Sequence, residues 1–521
     1  MSPPPTVAPD RDLDPFGTTG LRETVLRTWA ASPARFREDA NAEELLSLGY
    51  GGRVLGELAA NGADAARAAG VPGQVAIAVV GRELRVANTG APLSAAGVAA
   101  LAALRASAKR DDAGVGHFGV GFTAVRALTD DPVIVSTTGA VRFSAADTAR
   151  AIAELQVPAL DEEVARRHGQ LPALRLPWPV PGGDRGHSGS DTAPPAGFVT
   201  EVRLPLRPGV DAEMLTAELS IETALDLLWA LPDLAAVLMP RLRVARAAGP
   251  DDDGIVTVSI SAGDVPAGAV PGTSKTEVRR FRTAESSGTV PAELLADRPV
   301  EERGRDRWRL RWVVPVDDAG RPKPVPRSMI GAPTPTEEPL GLPARLIGTL
   351  PVDESRSRIA PGPLTDFLLA AAAEAYLELV LAAPAGDRVA LIPPGGFPLG
   401  DLDAALRARV TDVLLRTAFL PDAGGAVVRP EQACLVRGLA GPPAAAISEA
   451  LPGLLGWPDD PARLDLLRAV GVREVGVSTV TAALAGVDRP ATFWRRVYDG
   501  LASAPVDDPA DLPVPRRGGG T

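Results

Sequence analysis

Two hydrophobic periods alternate along the chain, and the switches between them mark its elements. Residues 54–69 place Glu57, Asn61 and Asp64 at i, i+4 and i+7, one polar stripe on an otherwise Ala/Leu/Val helix. Pro72-Gly73 ends that helix, and residues 75–80 and 83–88, divided by Gly81-Arg82, read as two strands around a tight turn. Residues 94–106 return to a helical pattern with Ser94 as N-cap. A glycine-rich loop over 107–121, a helix over 122–128 and strands over 133–137 and 197–204 follow, while 165–196, rich in Pro, Gly and Ser, read as a long surface insertion. This order predicts an α+β fold with helices on one face of a mixed sheet.

Farther on, residues 249–254 are an acidic break, and 307–316 alternate charge with Trp308, Leu310 and Trp312, the period of a half-buried strand. Residues 322–343 are proline-rich, 344–350 are strand-like, 364–381 form a long apolar helix, and beyond 386 short helices alternate with Pro/Gly turns. The expected divisions are a disordered N-terminus (1–19), a first domain (20–245), an α/β middle domain (246–385), a mainly helical region (386–510) and a tail (511–521).

Composition narrows the chemistry. A net charge of −11 opposes nucleic acid and anionic membranes. One cysteine, Cys434, allows no internal disulfide, and with only three histidines a Cys/His zinc site is excluded. No apolar run reaches membrane-spanning length and no signal-peptide pattern opens the sequence, so the expected location is the cytoplasm.

The second landmark is Gly114-Val115-Gly116-His117-Phe118-Gly119-Val120-Gly121-Phe122. It contains a G-x-G-x-x-G, but the dinucleotide fingerprint must follow a strand, and residues 106–112 are polar and charged. Glycines that free backbone N–H groups ahead of a helix start suit a polyphosphate; a plain hinge is the other reading.

Taken together, E-x-x-x-N-x-x-D-A at 57–65, a strand ending in N-x-G at 88–90, a lid-like stretch with Ser107 and Lys109, and G-x-F-G-x-G-F at 116–122 resemble the GHKL ATPases, most closely the Hsp90 branch. The resemblance implies a Bergerat-fold site that binds ATP and Mg2+ within residues 40–240. Position by position, it implies Glu57 as general base for the attacking water and Asn61 as magnesium ligand. Asp64 would face the nucleotide or its waters, or else cap the surface. Gly116, Phe118, Gly119, Val120, Gly121 and Phe122 match the phosphate loop, and Lys109 is a lid cation in reach of a phosphate or a solvated lysine. Thr200 matches the threonine near adenine, and Asn88 and Gly90 match the base-end motif. There Asn88 replaces an aspartate and can present a donor as well as an acceptor, so rejection of guanine is relaxed, although adenine remains the expected base. Pro92 replaces a glycine and forbids positive φ, so the loop under the base must differ from the family's.

Residues 341–358 resemble the segment after the ATPase module in sacsin-type proteins, and Arg356 or Arg358 is offered as the arginine reaching the γ-phosphate, with a surface pair in a turn as the other reading. Family members are usually longer, so the chain reads as a short member or a piece of a longer protein. The implied function is an ATP-binding, ATP-hydrolysing chaperone-like protein, with protein clients and a homo-oligomer left open as partners. A nucleotide-binding regulatory or scaffold module with little turnover is the alternative. A MutL- or gyrase-like DNA ATPase is opposed by the charge, and a histidine kinase by the position of His117, His168 and His187, all after Glu57.

Overall fold

The computed structural model describes residues 14–103 except 51 and 52, 121–180 except 169, 193–262, 276–353 except 297, 299–302, 305, 333 and 334, then 357–502 and 513–514. Among these residues the architecture is α+β, built on one mixed sheet. Its strands are β1 (Gly73–Val80), β2 (Glu83–Asn88), β3 (Val133–Ser136), β4 (Gly139–Phe143), β5 (Pro177–Pro179), β6 (Thr200–Pro205), β7 (Leu234–Met239), β8 (Leu242–Arg246), β9 (Ile255–Ala262), β10 (Thr276–Thr289), β11 (Arg307–Val316), β12 (Ser328–Gly331), β13 (Pro335–Leu340) and β14 (Arg345–Gly348). They lie in the order β13-β12-β14-β11-β10-β9-β8-β7-β1-β2-β6-β3-β4-β5. Within this sheet, among the described residues, only β1 with β7 and β12 with β14 run parallel. Both edge strands carry prolines, which remove ladder donors and discourage pairing with another chain.

The helices that frame the first part are α1 (Thr18–Ala31), α2 (Pro33–Tyr50), α3 (Val54–Ala69), α4 (Ala95–Ala103), α5 (Ala145–Glu154), α6 (Pro158–Arg166), α7 (Ala212–Glu218) and α8 (Ile221–Ala230). In α3, Ala and Leu favour the helix, Glu57 in its first turn and Arg67 in its last suit the dipole, and Gly70 at φ 65° closes it by donating to Ala66 and Arg67. Its apolar residues Leu58, Ala59 and Ala63 join Val75, Ile77, Leu84 and Val86 of the sheet and Leu225 and Leu228 of α8 in one core. That core continues into Val256, Val258, Phe281 and Val313, and the 245/246 division falls inside β8, which pairs with β9.

At β11 the sheet is covered on both faces. Trp312 donates to Ala372 O at 2.8 Å and meets Tyr376 edge-on, both in the helix Pro363–Ala382, whereas its neighbour Arg311 turns the other way and donates to Trp229 O of α8 at 3.1 Å. The half-buried strand expected from alternation is therefore buried on both sides at its centre, because Arg311 satisfies a helix carbonyl and Glu285 Oε1, 2.6 Å away, balances its charge. A last cluster around Leu439, Ile447, Phe493 and Trp494 forms the C-terminal layer.

Two sequence expectations are corrected. Residues 165–180 are no surface insertion: Leu171, Ala173, Leu174 and Leu176 are buried against the first part of the chain, and residues 181–192 lie outside the described set. The helix expected over 122–128 is a seven-residue 3-10 helix, Gly121–Ala127, followed by Leu128 and Thr129 both donating to Val125 O. Among the described residues, no helix is long and apolar enough to cross a membrane.

Candidate functional site

Helix α3 lies over β1 and β2, and the sequence makes that approach close. A β-carbon on Gly62 would sit 2.8 Å from Val75 Cγ2 and 2.9 Å from Asn88 Cβ, so the helix rests directly on the end of β2. The stripe read from the sequence therefore points inward. Glu57 and Asp64 are buried, and Asn61 is half-buried with its Oδ1 fully enclosed.

The three stripe residues differ in what they meet. Glu57 reaches the start of the 3-10 helix, where a β-carbon on Gly121 would collide with Glu57 Oε2. Asn61 Oδ1 accepts no hydrogen bond among the described residues. A buried carbonyl oxygen left so costs about 1–3 kcal/mol, which a donor or a cation would recover. Asp64 is wholly buried, and its Oδ1 takes Arg67 Nη2 at 2.9 Å, with Arg67 Nε 3.9 Å from Asp233. A capping role at the surface does not fit that burial.

At the other end of the site, strand register aligns three polar side chains. Asn88 of β2 is opposite Thr200 of β6, and Thr200 is opposite Ser136 of β3. Ser136 Oγ is 2.9 Å from Thr200 Oγ1, accepts from Leu93 N at 3.0 Å and donates to Val199 O at 3.1 Å. Asn88 Nδ2 donates to Thr89 O at 2.9 Å.

The loop after β2 is pinned on all sides. Thr89 exchanges two bonds with Gln74, through its N to Gln74 O at 3.1 Å and its Oγ1 from Gln74 N at 2.9 Å. Gly90, at φ 113°, presses against the Ala65 backbone where no side chain fits, and Ala91 N donates to Ala65 O at 2.9 Å. Leu93 is held at its N by Ser136 and at its O by Thr138 Oγ1, 2.6 Å away. Pro92, which has no N–H to place, sits between two anchored neighbours, and this is how the loop accommodates the missing glycine.

Behind the 3-10 helix, Arg126 Nε is 3.0 Å from Glu43 Oε1 of α2, both buried, and Arg126 Nη1 reaches Thr129 O and Asp130 Oδ1 at 3.0 Å each. Glu43 Oε2 also accepts from Leu174 N at 3.1 Å. Burial pushes the Glu43 carboxyl up to about 7 against the opposing pull of Arg126. Phe122 is buried beside Phe143, with ring centroids 6.1 Å apart.

The sequence-derived residues thus fall into two groups. Glu57, Asn61, Asp64, Asn88, Gly90, Gly121, Phe122 and Thr200 surround α3 and the strand ends below it. Lys109, Gly116, Phe118, Gly119, Val120 and Arg356 lie outside the described residues. Arg358 is exposed in a turn whose backbone pairs with Asp353. Ser136 was not singled out from the sequence; the one signal was a hydroxyl closing the apolar run Val133-Ile134-Val135. Among the described residues no three His, Cys, Asp or Glu side chains group as a metal site. A cation here would need to keep waters or ligand oxygens beside Asn61, the habit of magnesium. A cleft of about 630 Å3 opens beyond Ser136, between the β3–β4 turn and residues 193–198, and none of Glu57, Asn61 or Asp64 lines it.

No protein-family model matches the chain, and a search of curated proteins returns no match.

Proposed function

We propose that the chain binds ATP with magnesium in a Bergerat-type site and hydrolyses it, as a chaperone-like ATPase of the Hsp90 and sacsin kind. The observation that carries this reading is the meeting of three separated stretches. Glu57 on α3 lies against Gly121 at the end of the glycine loop, and the same helix rests through Gly62 on Asn88, beside Thr200.

The division of labour follows from each group's surroundings. Glu57, held against the loop end, accepts the proton of an attacking water. Asn61, whose enclosed carbonyl oxygen has no partner among the described residues, would hold magnesium. Magnesium when bound supplies charge neutralisation for the phosphates. Asn88 and Thr200 meet the base, and the pinned loop from Thr89 to Leu93 keeps that end rigid. Asp64 is paired with Arg67 and acts on the site through the helix rather than by contact.

Calorimetric titration of the full chain with ATP, with and without magnesium, tests the reading. Binding that strengthens with magnesium, and loses that gain in Asn61→Ala, is the expected result. Binding independent of magnesium and untouched by the substitution would overturn the metal assignment, and absence of binding would overturn the site. Turnover of wild type against Glu57→Ala then separates hydrolysis from binding alone, since equal near-zero rates with intact affinity would leave a nucleotide-binding module.

A further inference from the structure

We infer that Ser136 is a specificity-determining positioning residue: it takes the hydroxyl proton of Thr200, so that Thr200 Oγ1 and Asn88 Oδ1 together present two acceptors to an amino group of the bound base. The inference rests on the nucleotide-site reading above and concerns a residue that reading does not need.

The hydroxyl has three neighbours and one proton. Leu93 N, 3.0 Å away, can only donate to Ser136 Oγ, and Val199 O, 3.1 Å away, can only accept from it. Either hydroxyl could donate across the 2.9 Å contact with Thr200 Oγ1; giving the Ser136 proton to Val199 O, which also accepts from Thr137 N, assigns that contact to Thr200 as donor. Thr200 keeps two lone pairs and has no proton left to offer. Ser136 is buried, so no water competes for these directions.

Asn88 is oriented by the same logic. A backbone carbonyl accepts and cannot donate, so the atom 2.9 Å from Thr89 O is the amide nitrogen. Its Oδ1 accepts no hydrogen bond among the described residues, and Asn88 is paired with Thr200 in the strand register. Two acceptors on adjacent strands fit a group with two hydrogens, such as an exocyclic amino group. The bond to Thr89 O uses one of the two Nδ2 hydrogens and fixes which way the amide is turned, so Oδ1 keeps its side.

The test compares ATP with purine-riboside triphosphate, which lacks the 6-amino group, in calorimetric titrations of wild type, Ser136→Ala and Ser136→Thr. Wild type should prefer ATP by about tenfold or more, the usual effect of leaving buried acceptors unmatched. In Ser136→Ala the Thr200 hydroxyl regains its proton and can turn it to a ring nitrogen, so the preference should shrink by roughly fivefold. Ser136→Thr keeps the hydroxyl and should restore the preference. Loss of the Leu93 contact alone would weaken both nucleotides alike and leave their ratio unchanged, so the ratio isolates the proposed role. An unaltered ratio in Ser136→Ala, with ATP still bound, would overturn this inference and spare the site reading. No binding of either triphosphate by wild type would overturn both.

Discussion

The carboxylate of Glu57 occupies the space in which a side chain at Gly121 would begin, so helix α3 and the end of the glycine loop are fitted to each other at one point. Gly121→Ala must therefore displace the Glu57 carboxylate or the loop end. The expected outcome is a fall in kcat of about a hundredfold, as for a misplaced general base, with ATP affinity changed by roughly threefold or less. Steady-state kinetics beside calorimetry would check it, and a variant with unimpaired turnover would mean that the contact does not position the base.

Asn61 makes a different prediction because its oxygen is enclosed and has no partner among the described residues. Asn61→Asp places an anion there and should strengthen the dependence on magnesium while weakening ATP binding in chelator. Fully formed, the added repulsion of phosphate amounts to roughly 1–2 kcal/mol. Equal affinity for the two proteins in chelator would show that position 61 does not face the phosphates.

The seam between the first core and the middle strands depends on Arg311, which joins Glu285 at 2.6 Å to Trp229 O at 3.1 Å. Glu285 is nearly half exposed, so solvent screens that pair and the carbonyl of α8 is the larger loss. Arg311→Ala should cost roughly 1–3 kcal/mol in urea unfolding. Arg311→Lys should recover less than half of it, since one ammonium cannot replace the guanidinium fork at both partners. Full recovery by lysine would reduce the contact to simple charge.

Much of this was legible in the chain, and the limits have physical causes. The helix over 54–69 and the hairpin around Gly81 follow from local periodicity and turn chemistry, and both stand at the expected bounds to within two residues. The stripe of Glu57, Asn61 and Asp64 was visible, yet whether it faced solvent or protein depended on Gly62 meeting Asn88, a contact between elements. The row of Asn88, Thr200 and Ser136 joins residues 48 and 64 positions apart through strand register, which no local pattern encodes. Residues 170–180 were misread because Pro and Gly signal turns without telling whether the intervening leucines are covered. The 3-10 helix after Gly121 was misread because a short apolar stretch does not distinguish 3-10 from α geometry.

Glu43 ties α2 to the 3-10 helix through Arg126 and to residue 174 through its backbone N–H, and this makes stability depend on pH in a definite direction. Burial raises its carboxyl from 4.5 to about 7, with Arg126 opposing. The folded state therefore holds this proton more tightly than the unfolded chain. The resulting stabilisation is complete below pH 4.5 and is lost as pH rises through about 7, roughly 3 kcal/mol over that window. Asp130, in the same network, is held low by Arg207 and Arg126 against its own burial and titrates below its ordinary value of 3.8, outside the window. Glu43→Gln cannot ionise and keeps an oxygen for Leu174 N, so its stability should hardly change through this step. Urea unfolding of both proteins at about pH 5 and about pH 8 should show wild type losing roughly 2–3 kcal/mol relative to the variant. A gap that stays constant between the two pH values would mean that Glu43 remains ionised throughout, with Arg126 outweighing burial.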